Sequence, residues 1–217
     1  MGFGPDDEQT RAPGNQYLRF HPRLRIAATL VATVAATTSA LADPLTTLLD
    51  KGNGAACYER IYDEAHLAKN PGQTTHAMLV SLRAEGGFAD AVLRIRITRA
   101  KAVLYMMGEC GYAEKANLDI MGEKLIPAFK GPGGLDCHVY TSADGSSAEE
   151  GGDFPIDLKD GQSLIVYFPE DLAAWRSIDR SDPANFESFG TDDQIFRVDR
   201  TSTSVCREMV RDLPNLL

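Results

Sequence analysis

The chain has 217 residues and carries 22 Lys and Arg against 31 Asp and Glu, which gives a formal net charge of −9 at pH 7. A surface of this sign repels phosphate groups, because nucleic acids and anionic lipids are bound through Lys and Arg. The composition therefore argues against nucleic-acid binding and favours a soluble protein or one that meets a cationic partner.

The first 42 residues predict an export signal. A basic segment with three arginines precedes an uncharged, largely apolar run at 26–40, and Ala40-Leu41-Ala42 supplies the small-residue cleavage pattern of a Sec-type signal peptide. The apolar run of about 15 residues is short for a membrane-spanning helix, which needs roughly 20. We therefore expect removal of the signal and no stable membrane insertion. Residues 1–18 are unlike a signal-peptide n-region, and we interpret them as a start-site artefact.

Cleavage there leaves residues 43–217, a length suited to a single β-rich domain, with 18 Lys and Arg against 28 Asp and Glu. All four cysteines of the chain lie in this part, and an even number in an exported protein predicts disulfides. We favour the pairs Cys57–Cys206 and Cys110–Cys137 among the three possible connectivities. The spacing lacks C-x-x-C, which argues against a thioredoxin-like redox site or a zinc ribbon.

Alternation with a period of two dominates this domain. In one strand Leu93, Ile95 and Ile97 point to one face, while Arg94 and Arg96 point to the other. Eight such segments follow one another along the chain: "CYERIYD", "HAMLVSLR", "AVLRIRIT", "KAVLYMMGEC", "GLDCHVYT", "DFPIDL", "SLIVYF" and "QIFRVDR". Eight short antiparallel strands predict a barrel, and a β-sandwich is the alternative.

Helical signals are confined to three short segments. "DPLTTLLDK" has Pro44 near its start, which is a favoured position for proline in a helix. "PEDLAAWRSI" predicts one or two helical turns, and "SVCREMVRDL" predicts a closing helix that carries Cys206. The predicted fold is thus mostly β, with an antiparallel barrel of about eight strands, short terminal helices and disulfide cross-links.

The segment "TSADGSSAEEGGDF" is the most acidic connection in the domain, with carboxylates at Asp144, Glu149, Glu150 and Asp153. It does not fit a calcium-binding EF-loop, because alignment of Gly145 with the glycine at position six leaves no acidic residue at position twelve. Three interpretations stay open: a solvated loop, a docking face for a cationic partner, and a metal site, which we favour least.

Known catalytic and cofactor motifs are absent from the sequence. It contains neither G-x-S-x-G nor a phosphate-binding glycine loop, and no histidine pair has metal-ligand spacing. We therefore predict no cofactor, no metal and no assignable catalytic residue. Trp175 lies beside a polar loop, where an aromatic side chain either caps a bound ligand or packs the loop onto the barrel.

Several stretches resemble a group of small exported bacterial proteins with no established activity, among them "ACYERIYDEAHLAKNPGQTTHAMLVSL", "YMMGEC", "LIPAFK" and "DCHVYTSADGSSAEEGGDF". In size, acidity, export and disulfides the chain is similar to calycin-like barrels and to periplasmic lysozyme inhibitors, although it has no specific inhibitor motif. The resemblance implies no catalytic residue.

The function expected from these features is binding. We predict an exported acidic barrel in the periplasm or outside the cell, whose partner is a cationic protein at the acidic loop or a small apolar ligand in the barrel interior. The alternatives are a hydrolytic enzyme that uses separated carboxylates or histidines, and a structural protein of the cell envelope.

Overall fold

The structure, a computed structural model, describes residues 43–84, 91–114, 133–145, 150–168 and 171–211; the predicted export signal lies outside them. The described strands are β1 (Ala55–Ile61), β2 (Thr75–Ala84), β3 (Ala91–Arg99), β4 (Val103–Glu114), β5 (Gly133–Val139), β6 (Asp153–Asp157), β7 (Ser163–Tyr167), β8 (Leu172–Ala174), β9 (Asn185–Glu187) and β10 (Ile195–Thr201). The described α-helices are α1 (Pro44–Asp50), α2 (Glu64–Lys69) and α3 (Thr203–Arg211), and Thr191–Asp193 forms one 3-10 turn.

Eight of these strands close into an antiparallel barrel. Each strand from β1 to β7 pairs with the next one along the chain, and β10 completes the ring between β7 and β1. The predicted eight-stranded antiparallel barrel is therefore confirmed, and the sandwich alternative is not. Strands β6 and β7 form a hairpin, where Gly161 has a φ of +73° that suits glycine and its N–H donates to the Leu158 carbonyl.

Side chains from all eight barrel strands form one continuous hydrophobic core. The alternation in β3 is the clearest case, because Leu93, Ile95 and Ile97 are fully buried while the residues between them are partly exposed. Aromatic rings fill the barrel near its β7 side, where Phe168 lies 5.1 Å from Phe154 and 5.6 Å from Phe196 between ring centroids. The interior that the described residues enclose is thus a packed core.

Helix α1 packs against the barrel and extends that core. Asp43 caps it by accepting a hydrogen bond from the Thr46 N–H at 2.9 Å, and Pro44 occupies the first turn as predicted. Its apolar face buries Leu45, Leu48 and Leu49 in the same cluster as the barrel side chains. An exposed seven-residue helix would be marginal alone, so this burial is what stabilises α1.

Two disulfides cross-link the domain in the pairs favoured from the sequence. Cys57–Cys206 attaches α3 to the outside of β1, with a Cα–Cα distance of 5.9 Å. Cys110 and Cys137 are directly opposite one another on β4 and β5, with a Cα–Cα distance of 4.2 Å, and both lie in the core. The two ends of the domain and two neighbouring strands are therefore fixed covalently.

The helical turns predicted over "PEDLAAWRSI" were a wrong prediction. Leu172–Ala174 forms strand β8 instead, with all three residues buried. The backbone of Trp175 continues this strand, because its N–H donates to the Tyr105 carbonyl at 2.9 Å and its carbonyl accepts the Tyr105 N–H at 2.8 Å. Strand β8 itself pairs antiparallel with β9 in a separate two-stranded sheet. Strand β5 ends at Val139, so the edge of β4 at Tyr105 is open to Trp175, and these pairings together outweigh the helical propensity of the segment.

Candidate functional site

A group of acidic side chains surrounds one histidine on the outer surface of β4, β5 and β6. The strand register places His138 directly between Glu109 on β4 and Asp153 on β6. Asp136 lies two residues before His138 on the same face of β5, because successive side chains of a strand alternate between its faces. We call these four residues, Glu109, Asp136, His138 and Asp153, the acidic face.

Both ring nitrogens of His138 are directed at carboxylates. Nδ1 lies 2.8 Å from Oδ1 of Asp153, and Nε2 lies 3.8 Å from Oδ1 of Asp136. Burial lowers the pKa of His138, but the Asp153 hydrogen bond and the charges of Asp136, Asp153 and Glu109 outweigh it, so the pKa is raised above its ordinary value of 6.5. The imidazole is thus held in the protonated form to a higher pH than a free histidine.

Asp136 differs from a simple ion-pair partner. Burial raises the pKa of its carboxyl group, and the opposing effect of the His138 charge is smaller. Its Oδ1 is buried and accepts no hydrogen bond from the part of the chain that the structure describes. The pKa values of both Asp136 and His138 can be raised at once. At Asp136 the free-energy cost of losing hydration is larger than the attraction to the imidazole of His138, which lies 3.8 Å away.

Tyr140 joins the acidic face to the loop that follows β5. Its hydroxyl donates a hydrogen bond to Oε2 of Glu109 at 3.0 Å. On the other side of the ring, a Cβ built at Gly145 would lie 3.4 Å from the ring carbon Cε2, and the Gly145 φ of +75° is one that glycine adopts without strain. The loop segment that carries Asp144 is therefore packed on the same tyrosine that positions Glu109.

A buried arginine holds this loop from beneath. Nη1 of Arg180 donates to the Ala143 carbonyl at 2.6 Å and lies 3.1 Å from Sδ of Met107. Arg180 is only 6% exposed and has a φ of +53°, and burial lowers its pKa. Its Nε is buried without a hydrogen-bond partner among the described residues, so the burial of this guanidinium is only partly compensated, and the Nη1 bond anchors the loop backbone at Ala143.

The structure brings three of the predicted site residues into this region. Asp153 begins β6 and belongs to the acidic face, while Glu150 is exposed and accepts a hydrogen bond from the Thr141 hydroxyl at 3.4 Å. Asp144 is exposed at the turn of the loop. Glu149, the fourth predicted carboxylate, lies outside the described residues. The loop that carries Asp144 and Glu150 joins β5 to β6, and these two strands carry three of the four residues of the acidic face.

Trp175 lies in the same region but is not accessible. It is 1% exposed and packs with Met107 and Tyr140 in a small hydrophobic cluster on the outside of the barrel. Of the two roles considered for it from the sequence, its position is that of a residue that packs the loop onto the barrel.

Sequence reasoning missed Glu109, Asp136 and His138 as site residues. In the structure they alternate with buried neighbours, so they face outward from β4 and β5. Their proximity depends on the register of strands whose partners are up to 29 positions apart in the chain, as Glu109 and His138 are. That register is not encoded in any local pattern.

Within the described ranges, no group of three or more His, Cys, Asp or Glu side chains is close enough to hold a metal ion. Nor does any helix there have the length and apolar character needed to cross a bilayer. No family model, curated protein or solved structure matches the chain. The assignment of a function therefore has to be argued from the geometry.

Proposed function

We propose that this protein is a binding module that docks a cationic protein through its acidic face and acidic loop. The observation that carries the proposal is that three adjacent strands and the loop between two of them carry five carboxylates, with one imidazole among those on the strands. Three of these carboxylates come from the acidic face, and Asp144 and Glu150 come from the loop. A surface with one sign of charge attracts a partner of opposite sign and orients it during the encounter.

The fixed position of this surface supports a docking role. All four side chains of the acidic face stand on strands of the closed barrel, and Tyr140 and Arg180 contact the described part of the loop. Interface residues that are ordered before binding lose less conformational entropy when a partner arrives. The surface is therefore better suited to binding a protein than a solvated loop with mobile carboxylates would be.

A partner on the outside of the barrel also agrees with the packed interior. Tyr58, Phe154, Phe168 and Phe196 are at most 1% exposed, and burial raises the pKa of Tyr58 to about 12. A barrel that carries a small apolar ligand keeps space along its axis, whereas here aromatic side chains occupy it. The outer surface is thus the favoured place for recognition, and we prefer the cationic partner to the apolar ligand.

We further propose that the protein acts in the periplasm or outside the cell. Its two disulfides are of a kind that persists in oxidising compartments, and the predicted signal peptide agrees with this location. The similarity to periplasmic lysozyme inhibitors in acidity and disulfides makes a cationic lysozyme the first defined partner to assay.

The proposal is tested by affinity capture from an extract of the export compartment at low salt. Three forms of the protein serve as bait: the unaltered protein, a face variant with Asp144→Asn, Glu150→Gln and Asp153→Asn, and a control variant. The control carries Asp50→Asn, Glu64→Gln and Asp192→Asn, all exposed and outside the acidic surface, so that both variants have the same net charge.

We expect the unaltered protein and the control variant to capture the same partner, and the face variant to lose it. A face variant that also carries Glu149→Gln, at the fourth carboxylate predicted from the sequence, should capture no more partner than the face variant does. Equal capture by all three baits would show that this surface is not the docking site.

A further inference from the structure

A groove of about 340 Å³ lies far from the acidic face, between the start of β1, the end of β2 and α3. Strand β1 is four positions from β5 in the ring of eight strands, so the groove is on the other side of the barrel. Its volume is within the range of sites that bind small molecules, which is roughly 300–1,000 Å³. Its lining includes Gly52, Gly54, Ser81, Arg83, Thr203 and Arg207.

The charge of this groove is opposite to that of the protein. Among the lining residues that the structure describes, Arg83 and Arg207 are the charged ones, although the chain has a net charge of −9. Both guanidinium groups are exposed, and neither forms an ion pair or hydrogen bond with any residue that the structure describes. Two unpaired guanidinium groups at one groove favour an anion, because they offer planar pairs of N–H donors that match carboxylate and phosphate oxygens.

The walls of the groove are fixed by the fold. Cys206 is bonded to Cys57 of β1, and this bond holds the adjacent Arg207 at the groove. Cys57 is paired with Ser81 of β2, and Arg83 lies two residues after Ser81 on the same strand. The two arginines therefore come from separate elements that one disulfide connects.

A tight turn forms the floor of the groove. At Gly52 a Cβ would lie only 1.9 Å from the Ala55 carbonyl oxygen, so a side chain there would displace the backbone. Asn53 and Gly54 follow with φ values of +54° and +80°. The close approach at Gly52 leaves the turn one compact conformation, and the hydroxyl groups of Ser81 and Thr203 add neutral hydrogen-bonding groups nearby.

We infer that this groove is a binding site for a small anionic ligand that carries a phosphate group or two carboxylates. Arg83 and Arg207 would bind its oxyanions, and the disulfide would hold together the backbone segments from which the two side chains extend. The site is independent of the proposed protein-docking surface, since the two share no residue.

The inference is tested by titration of the isotope-labelled, disulfide-intact domain with inorganic phosphate, succinate or acetate at constant ionic strength, monitored through backbone amide resonances. We expect phosphate or succinate to shift the resonances of Gly52, Gly54, Ser81 and Thr203 in a saturable way, and acetate to bind more weakly. Saturation by phosphate alone assigns a phosphate ligand, and saturation by succinate alone assigns a dicarboxylate.

Three variants complete the test. Arg83→Gln and Arg207→Gln should each weaken binding about 10-fold, because a charge-assisted contact is lost. Lys69→Gln on α2 removes an exposed charge away from the groove and should change affinity less than about 2-fold by long-range electrostatics alone. Since both arginines are exposed, unchanged amide spectra outside the groove would show that the variants are folded. Absence of saturable shifts with all three anions, or equal weakening by Lys69→Gln, would overturn the inference.

Discussion

The two disulfides should contribute unequally to stability, because they close loops of very different length. Cys57 and Cys206 are 149 positions apart, whereas Cys110 and Cys137 are 27 apart. The loss of chain entropy in the unfolded state then stabilises the folded domain at 25 °C by about 5 kcal/mol for the first bond and about 3.6 kcal/mol for the second. Replacement of the first pair by alanine should therefore reduce the free energy of unfolding by about 1.5 kcal/mol more than replacement of the second.

Urea unfolding of the two double variants, Cys57→Ala with Cys206→Ala and Cys110→Ala with Cys137→Ala, measures this difference. Each variant loses two buried sulfurs, since all four cysteines are at most 2% exposed, so the loss of packing is similar and the loop term is compared directly. The first variant should also lose anion binding, because Arg207 is no longer held at the groove. A larger destabilisation from the Cys110–Cys137 pair would refute the loop-length reasoning.

Two further predictions concern the candidate site. Trp175→Ala should lower the free energy of unfolding by about 3–5 kcal/mol in denaturant titrations, because it empties a fully buried site. Phe186→Ala, at a residue 58% exposed, is the control and should change that free energy by less than about 1 kcal/mol. Similar effects of the two substitutions would contradict the packing role of Trp175. His138→Gln should destabilise most below pH 6.5, since a raised histidine pKa adds stability there that is lost as pH rises through the folded-state pKa. Unfolding midpoints at pH 5.5 and 8.5 check this, and an equal loss at both would show that the imidazole charge contributes nothing.

The barrel could be predicted because its strands alternate strictly. Segments such as the one containing Leu93, Ile95 and Ile97 have only one face that can be buried, and the Asp160-Gly161 turn places two of them side by side. The failure at Leu172–Ala174 has the opposite cause. Three consecutive buried residues show no alternation, and their strand conformation depends on pairing with β9 and on the adjacent bridge from Trp175 to β4, which no local pattern reveals.

The candidate site could be predicted only in part. The carboxylates of the loop were visible as a local cluster in the sequence, and Asp153 was among them. Glu109 and Asp136 were not associated with them, because each stands alone between buried residues of its own strand. Only the pairing of β4, β5 and β6 brings these side chains around His138, and strand register is determined by the whole sheet.

In the proposed function, docking of a cationic partner depends on where the negative charge lies on the surface and not on its total. Calorimetric titration of a lysine-rich peptide into the face variant and the control variant tests this most directly, since both have the same net charge. We predict that the face variant binds at least about 10-fold more weakly at low salt and that its affinity depends less on salt concentration. Equal affinities and equal salt dependences for the two variants would contradict the account.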